Sequence, residues 1–437
     1  MSRPATRRAA SLGRLLTNGF VAFSLWVLSR ALMALLWSNR ETFIDHDVRY
    51  YFWQLDSDGV SGALVEYPTP IAVFLDLIRI TAGRTENAYV IAFVLIMVIL
   101  DGAVTVWLWR SYSKTASAYW GAYTWCIGSL IWFRIDLLPA VAVLASLVWV
   151  TRRPIASGAA VAVGAATKLW PAMLIAPMLG TDRWGKRRGL GFLIAGGLLG
   201  LGSVLFFGWT RSISPVTWQS DRGLQIESIV ATVPMIRHAF ISPDLFHTEL
   251  SQYNAWEIFG PGVDFWLSVA DWMLVGSVLL AVALGWLIAL GGMGLPHHRL
   301  PNANDPDTMA ARTHAIVLAQ IALICATIVA NKTFSPQYMI WLGGPLAILL
   351  SLSLPRRDRI QARWLAILGL ICAAMTHLVF PLNYSGLISQ PTAEHADTVR
   401  LVVRNLLVIA LCVASVTMAL KSAWRIGRDD PQVASSH

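Results

Sequence analysis

Residues 86–109, ENAYVIAFVLIMVILDGAVTVWLW, decide how the rest of the chain is read. A helix rises 1.5 Å per residue, so about 20 apolar residues cross the ~30 Å hydrocarbon core of a bilayer. This run is long enough, and past Glu86 its only charge is Asp101. Comparable runs recur at 19–37, 117–133, 189–208, 263–290, 314–330, 337–354, 364–380 and 398–420, with a shorter one at 135–150. The stretch 154–181 exceeds one simple span. Basic residues flank it on both sides: Arg152 and Arg153, then Arg183, Lys186, Arg187 and Arg188. Basic loops face the cytoplasm, so the stretch folds as a short hairpin with Lys168 at its outer tip. The reading is an all-α polytopic integral membrane protein, a single domain over 1–437 with about 12 transmembrane helices and both termini inside.

Composition agrees. Of 437 residues, 56% are hydrophobic and 14% charged, with a mean hydropathy of +0.58. Soluble domains carry about 25% charged residues, so an ordinary water-soluble enzyme is excluded. The 20 Trp, 16 Phe and 10 Tyr exclude a disordered chain. A formal charge of +9 invites a nucleic-acid partner, but the placement of the charges argues against one. In this topology the cytoplasmic segments hold 21 of the 34 Lys+Arg and 6 of the 25 Asp+Glu, while external segments hold 11 and 18. The basic surplus is one of orientation in the membrane. Cys126, Cys325, Cys372 and Cys412 all lie in apolar runs without metal-ligand spacing and read as small packing residues. The basic segment Arg3–Arg14 precedes an apolar run with no small-residue cleavage site, which reads as a membrane helix and not a removed signal.

Two external loops, 38–85 and 210–262, are too long to be simple turns, and long loops in compact proteins usually carry function. Within the first, Pro70–Ala82 places Ile71, Phe74, Leu75 and Ile78 at helical spacing with Asp76 and Arg79 interleaved. That segment suits a helix lying in the outer membrane interface.

The residues able to do chemistry gather in these external segments. Asp45-His46-Asp47-Val48-Arg49-Tyr50-Tyr51 follows the first span and offers two carboxylates, either of which could act as a general base. A solvated loop start with interfacial tyrosines is the plain alternative. Glu66-Tyr67-Pro68-Thr69-Pro70 reads as a rigid entry into the interfacial helix or as a contact element. Arg134, Lys168 and Lys332 are cations at outer span ends, against the orientation rule. Arg134 has Asp136 two residues away as a ready partner. Lys168 and Lys332 have no acidic neighbour in sequence, which suits an external phosphate or a lipid headgroup. Trp218–Ser228 brings Arg222, Gln225, Asp221 and Glu227 together in the second loop. No histidine pair has metal-ligand spacing.

An acidic D-x-D-like element just past the first span, in a long external loop with an interfacial helix, resembles the GT-C class of membrane glycosyltransferases. The details are similar to the polyprenyl-phosphate-mannose-dependent mannosyltransferases of glycosyltransferase family 87, the DUF2029 group. That group includes actinobacterial phosphatidylinositol-mannoside and lipoarabinomannan mannosyltransferases. The similar stretches are Asp47–Tyr51, Tyr67–Pro70, Arg134–Pro139, Thr167–Pro171, Gly223–Ser228 and Ser335–Trp341. The family more often has Tyr-Pro-Pro where this chain has Tyr67-Pro68-Thr69-Pro70.

The resemblance implies Asp47 as catalytic base, with Asp45 as competitor, and Lys168, Arg134 and Lys332 on the donor phosphate. It further implies substrate contacts from Tyr50, Tyr51, Glu66, Tyr67, Asp136, Arg222, Gln225, Glu227, Gln337 and Tyr338. The partners implied are a polyprenyl-phosphate sugar donor, a glycolipid or lipoglycan acceptor and membrane lipids. No cofactor or metal is expected, and the implied location is the outer face of a bacterial cytoplasmic membrane. Two alternatives stay open: a transferase using another lipid-linked sugar, such as arabinofuranose, and a lipid-linked sugar transporter, for which Asp101 inside a span is the motivating residue.

Overall fold

A computed structural model describes residues 18–218, 222–298, 300, 302 and 305–428. Helix α1 (Gly19–Arg40) is followed by a 3-10 turn (Thr42–Asp45), α2 (His46–Gly62), α3 (Thr69–Thr81) and α4 (Glu86–Ser111). Next come α5 (Lys114–Ile127), α6 (Leu137–Val148), α7 (Pro154–Thr167), a 3-10 segment (Trp170–Met178) and α8 (Arg183–Trp218). A short α9 (Thr232–Ile236) leads to strands β1 (His247–Leu250) and β2 (Trp256–Phe259). The chain closes with α10 (Val263–Leu290), α11 (Pro306–Ala330), α12 (Ile340–Leu349), α13 (Arg356–Val379) and α14 (His395–Ile426).

The apolar helices make this a membrane-embedded protein. Among the described residues seven helices are long and apolar enough to cross a bilayer: α1, α4, α8, α10, α11, α13 and α14. The expected count was about twelve, and the difference lies in five shorter segments with identifiable breaks. Residues 117–133 divide at Gly128, whose φ is +77° and whose missing Cβ leaves room for the His377 ring. A side chain there would be strained and would strike the imidazole. The downward limb of the 154–181 hairpin is a 3-10 segment carrying Pro171 and Pro177, and 337–354 enters α12 through a proline-led 3-10 turn. Helix α6, at 12 residues, rises only about 18 Å.

The interior is organised on α11. Buried residues make up 83% of its apolar window, against 6% for α8 and 11% for α1. Ala315, Ala319 and Ala322 are almost fully buried, and such small residues let neighbouring helices approach closely. Helices α14, α10 and α12 pack against it. The all-α expectation needs one amendment: the 210–262 segment folds partly as an antiparallel hairpin, with His247 opposite Phe259 and Leu250 opposite Trp256.

The segment 38–85 is mostly helical. Pro70 stands at the start of α3, which turns Ile71, Ala72, Leu75 and Ile78 inward and leaves Val73, Leu77 and Ile80 exposed. Arg79 clamps it through Asp76 and Asp56, both at 2.9 Å. From α8, Arg211 donates to the carbonyls of Ala63 (3.0 Å), Leu64 (3.2 Å) and Tyr67 (3.1 Å). That fixes the turn between α2 and α3.

Arg30, Asp101 and Arg404, inside membrane helices, each have a counter-charge. Arg30 on α1 meets Asp101 on α4 through Nε–Oδ2 (2.9 Å) and Nη2–Oδ1 (3.1 Å), and Trp120 Nε1 of α5 donates to the same carboxylate at 2.9 Å. Arg404 of α14 donates to the Glu227 carbonyl at 2.9 Å, approaches its carboxylate at 3.5 Å, and lies over the Phe334 ring.

Candidate active site

A cavity of about 590 Å³ opens where α2, the 66–68 turn, the tip of the 154–181 hairpin, the end of α8, the β-hairpin turn and the α11–α12 link converge. Asp47 is on its wall, as the second residue of α2. Its Oδ2 sits 3.0 Å from Arg134 Nε. The same guanidinium donates through Nη1 to the carbonyls of Ile44 (2.7 Å) and Phe133 (2.8 Å). One buried arginine therefore positions both the carboxylate and the turn that delivers it. Among the described residues nothing hydrogen-bonds to Asp47 Oδ1. Asp45 is placed differently: it lies off the cavity wall, 8% exposed, and accepts from Arg49 Nε at 2.9 Å. Arg49 also pairs with Glu86.

Neither the phosphate-facing Arg134 expected from the resemblance nor its alternative pairing with Asp136 is seen; the charges form a crossed arrangement. Arg134 reaches Asp47, while Asp136 receives Lys168 Nζ on both oxygens at 2.8 and 2.9 Å. Asp136 also accepts from Trp341 Nε1 at 2.8 Å. Lys168 thus has the acidic partner that its sequence neighbours lack, and neither Arg134 nor Asp136 reaches the cavity surface. Lys168 sits in extended backbone at the reversal of the hairpin, as expected for its tip. Its ammonium lies 4.8 Å from the Tyr338 ring centroid and 5.7 Å from that of Trp341. Trp170, Trp341 and Tyr338 stack in a row at 4.2 and 4.3 Å. This wall is flat and electron-rich, with one cationic donor at its edge.

Opposite this wall, Tyr50 donates to Glu66 Oε1 at 3.1 Å. Burial raises the Glu66 carboxyl above the ordinary glutamate range. Burial together with the nearby Glu66 charge raises the Tyr50 phenol. Tyr51 and Tyr67 contact each other edge to face and also line the cavity.

The second loop contributes Arg222 and Gln225, whereas Gln219, Ser220 and Asp221 lie outside the described residues. Arg222 lies over the Tyr253 ring at 5.6 Å. Gln225 N donates to the Lys332 carbonyl at 3.0 Å, tying this loop to the α11–α12 link. Lys332, Gln337 and Tyr338 line the cavity from that link. Glu227 does not: it is buried against Arg404, and burial pushes its carboxyl up to about 7. Its expected substrate contact is therefore corrected to a packing role.

Sequence reasoning missed Gln252, Tyr253 and Asn254 in the β-hairpin turn, and Asp271 of α10. The positive φ of Asn254 (54°) marks a turn that Asn favours. Asp271 is a carboxylate in an otherwise apolar run, a signal that alone would have flagged it.

The arrangement presents the carboxylates of Asp47, Glu66 and Asp271, several cationic donors, and apolar surface from Leu169 of the hairpin tip, Val216 of α8 and Leu274 of α10. Such a site can hold a polar, anionic headgroup whose tail leaves through the apolar side. Among the described residues no cluster of three His, Cys, Asp or Glu side chains is placed to hold a metal ion. No family model, curated protein or solved structure matches the chain.

Proposed function

We propose that the chain is a membrane glycosyltransferase. In this reading it moves a mannosyl residue from polyprenyl-phosphate mannose to a glycolipid or lipoglycan acceptor at the outer face of a bacterial cytoplasmic membrane. The observation that carries the reading is that Asp47 and Lys168 line one cavity, with a proton acceptor on one wall and a phosphate-competent cation on another. Their placement on a single face of the fold is what a one-step transfer needs. The twelve-crossing topology with both termini inside, and the external location of the cavity, belong to the same proposal.

In the proposed reaction the acceptor hydroxyl oxygen attacks the anomeric carbon. Its proton passes to Asp47, the bond between that carbon and the phosphate oxygen breaks, and the electron pair departs with polyprenyl phosphate. A single displacement inverts the configuration, so a β-linked donor gives an α-mannoside. Negative charge grows on the leaving phosphate, where preoriented donors are most effective away from water. Lys168, Lys332 and Arg222 are the candidates on the wall. Arg134 becomes a positioning residue for Asp47, and Asp136 one for Lys168. The stacked aromatic row offers a platform for the apolar face of a sugar ring. The transporter alternative loses its motivating residue, since Asp101 is engaged by Arg30 and Trp120.

The test is to incubate purified protein with radiolabelled polyprenyl-phosphate mannose and a lipid extract and identify the product. Asp47→Asn should lower the rate by about 10²–10⁴-fold, the usual range for a general base, at near-wild-type thermal stability. An inactive Asp45→Asn beside an active Asp47→Asn would move the role to Asp45. Absence of any labelled lipid from wild-type protein, with arabinofuranosyl and other polyprenyl-phosphate donors also tried, would end the transferase reading.

A further inference from the structure

A second recess, of about 360 Å³, lies at the other end of α11. His314 and Leu318 line it, whereas Thr327 and Ala330 of the same helix line the active-site cavity. The helical rise between them separates the two by roughly 20 Å. The recess is formed by the beginnings of α11 and α13 and the end of α14. Three cations converge on it from two helices: Arg357 from α13, Lys421 and Arg425 from α14. One carboxylate, Asp358, faces them, and Arg425 already approaches it at 3.9 Å. The remaining titratable group is His314, whose Nε2 is buried with no hydrogen-bond partner. A buried polar atom of that kind calls for a ligand or a water.

The chemistry of the recess is graded along the helices. Arg357, Gln361 and Leu368 fall on one face of α13, and Met418, Lys421 and Arg425 on one face of α14, each set at helical spacing. The cations stand at the helix ends, while Leu318, Leu368 and Met418 form the floor further in. The recess also opens sideways onto apolar surface: Trp364 is 68% exposed, and Ile360, Ile367 and Ile371 continue the same exposed stripe of α13.

We infer that this recess binds an anionic phospholipid, with the phosphate held by Arg357, Lys421 and Arg425 and an acyl chain lying along Leu368 and Met418. A zwitterionic headgroup would bring its own ammonium against three cations. A free phosphate would leave the apolar floor unfilled. Basic pockets between membrane helices are a recurrent means of selecting anionic headgroups. The inference is independent of the sugar-transfer reading.

The test titrates the delipidated full-length protein in detergent with phosphatidylglycerol, phosphatidylcholine or inorganic phosphate, following the thermal midpoint. Phosphatidylglycerol should raise the midpoint, and the other two should not. The Lys421→Gln/Arg425→Gln double variant should weaken phosphatidylglycerol binding by about 30-fold, taking each cation as worth about fivefold near an anionic headgroup. Its lipid-free midpoint should match wild type. If that variant does not fold, Leu368→Trp fills the recess with every cation retained and should abolish the response. Equal stabilisation by phosphatidylcholine or by phosphate alone, or a wild-type response from whichever of these variants folds, would overturn the inference.

Discussion

Replacing Arg30 with methionine tests how α1 is attached to the rest of the protein. Asp101 is fully buried and receives three hydrogen bonds, two from Arg30 and one from Trp120. Arg30→Met removes two of the three and leaves a carboxylate inside the membrane region without its counter-charge. Removing one partner of a buried pair costs about 3–5 kcal/mol, whereas replacing both with apolar residues of similar volume is often close to neutral. The Arg30→Met protein should therefore be less stable by about 3–5 kcal/mol, and the Arg30→Met/Asp101→Leu double variant should recover all but about 1 kcal/mol of it. Thermal and chemical unfolding of the four proteins of this cycle in one detergent gives the coupling energy directly. A single variant as stable as wild type would refute the clamp, and so would a double variant no more stable than the single. If Asp101 were a proton or ion carrier, Asp101→Asn would abolish activity with stability intact.

Other outcomes follow from the site. Lys168→Ala should raise the donor KM more than the acceptor KM in the transfer assay, and Asp136→Asn should do the same to a lesser degree. An unchanged donor KM would remove Lys168 from the phosphate. Arg211→Ala should release the 60–67 turn, seen as faster hydrogen exchange at those amides and a loss of about 2–3 kcal/mol as the buried carbonyls lose charged donors. Glu66 gives a pH dependence with a definite sign. Its folded pKa is raised by burial, so the folded protein binds that proton more tightly than the unfolded chain does. Its contribution to stability is full below the ordinary value of 4.5 and is lost as pH rises through the elevated folded pKa. Glu66→Gln should flatten that fall in a melting series across pH, and an unaltered slope would count against it.

The long helices were legible because a bilayer demands uninterrupted apolar runs, and α1, α4 and α10 match theirs closely. The hairpin tip at Lys168 was legible for a related reason, since basic flanks on both sides force a return. The short segments were not, because hydropathy does not register where a backbone breaks: Gly128 turns the chain for the sake of the His377 ring, and Pro177 holds a limb in 3-10 form. The clustering of polar residues from segments far apart in sequence around one cavity could be anticipated, but not who pairs with whom. Arg134 and Asp136 are adjacent in the turn yet serve Asp47 and Lys168, which arrive from other parts of the chain. The β-hairpin turn was invisible for want of any chemical signature beyond ordinary polar residues.

The Arg30–Asp101 clamp also has a consequence for biogenesis. The two residues are 71 positions apart, so at about 5–20 residues per second Arg30 precedes its partner by roughly 4–14 s of translation. Throughout that interval α1 carries an uncompensated guanidinium. Inserting α1 alone, before α4 has been made, would leave in the bilayer a charge that the two helices together neutralise.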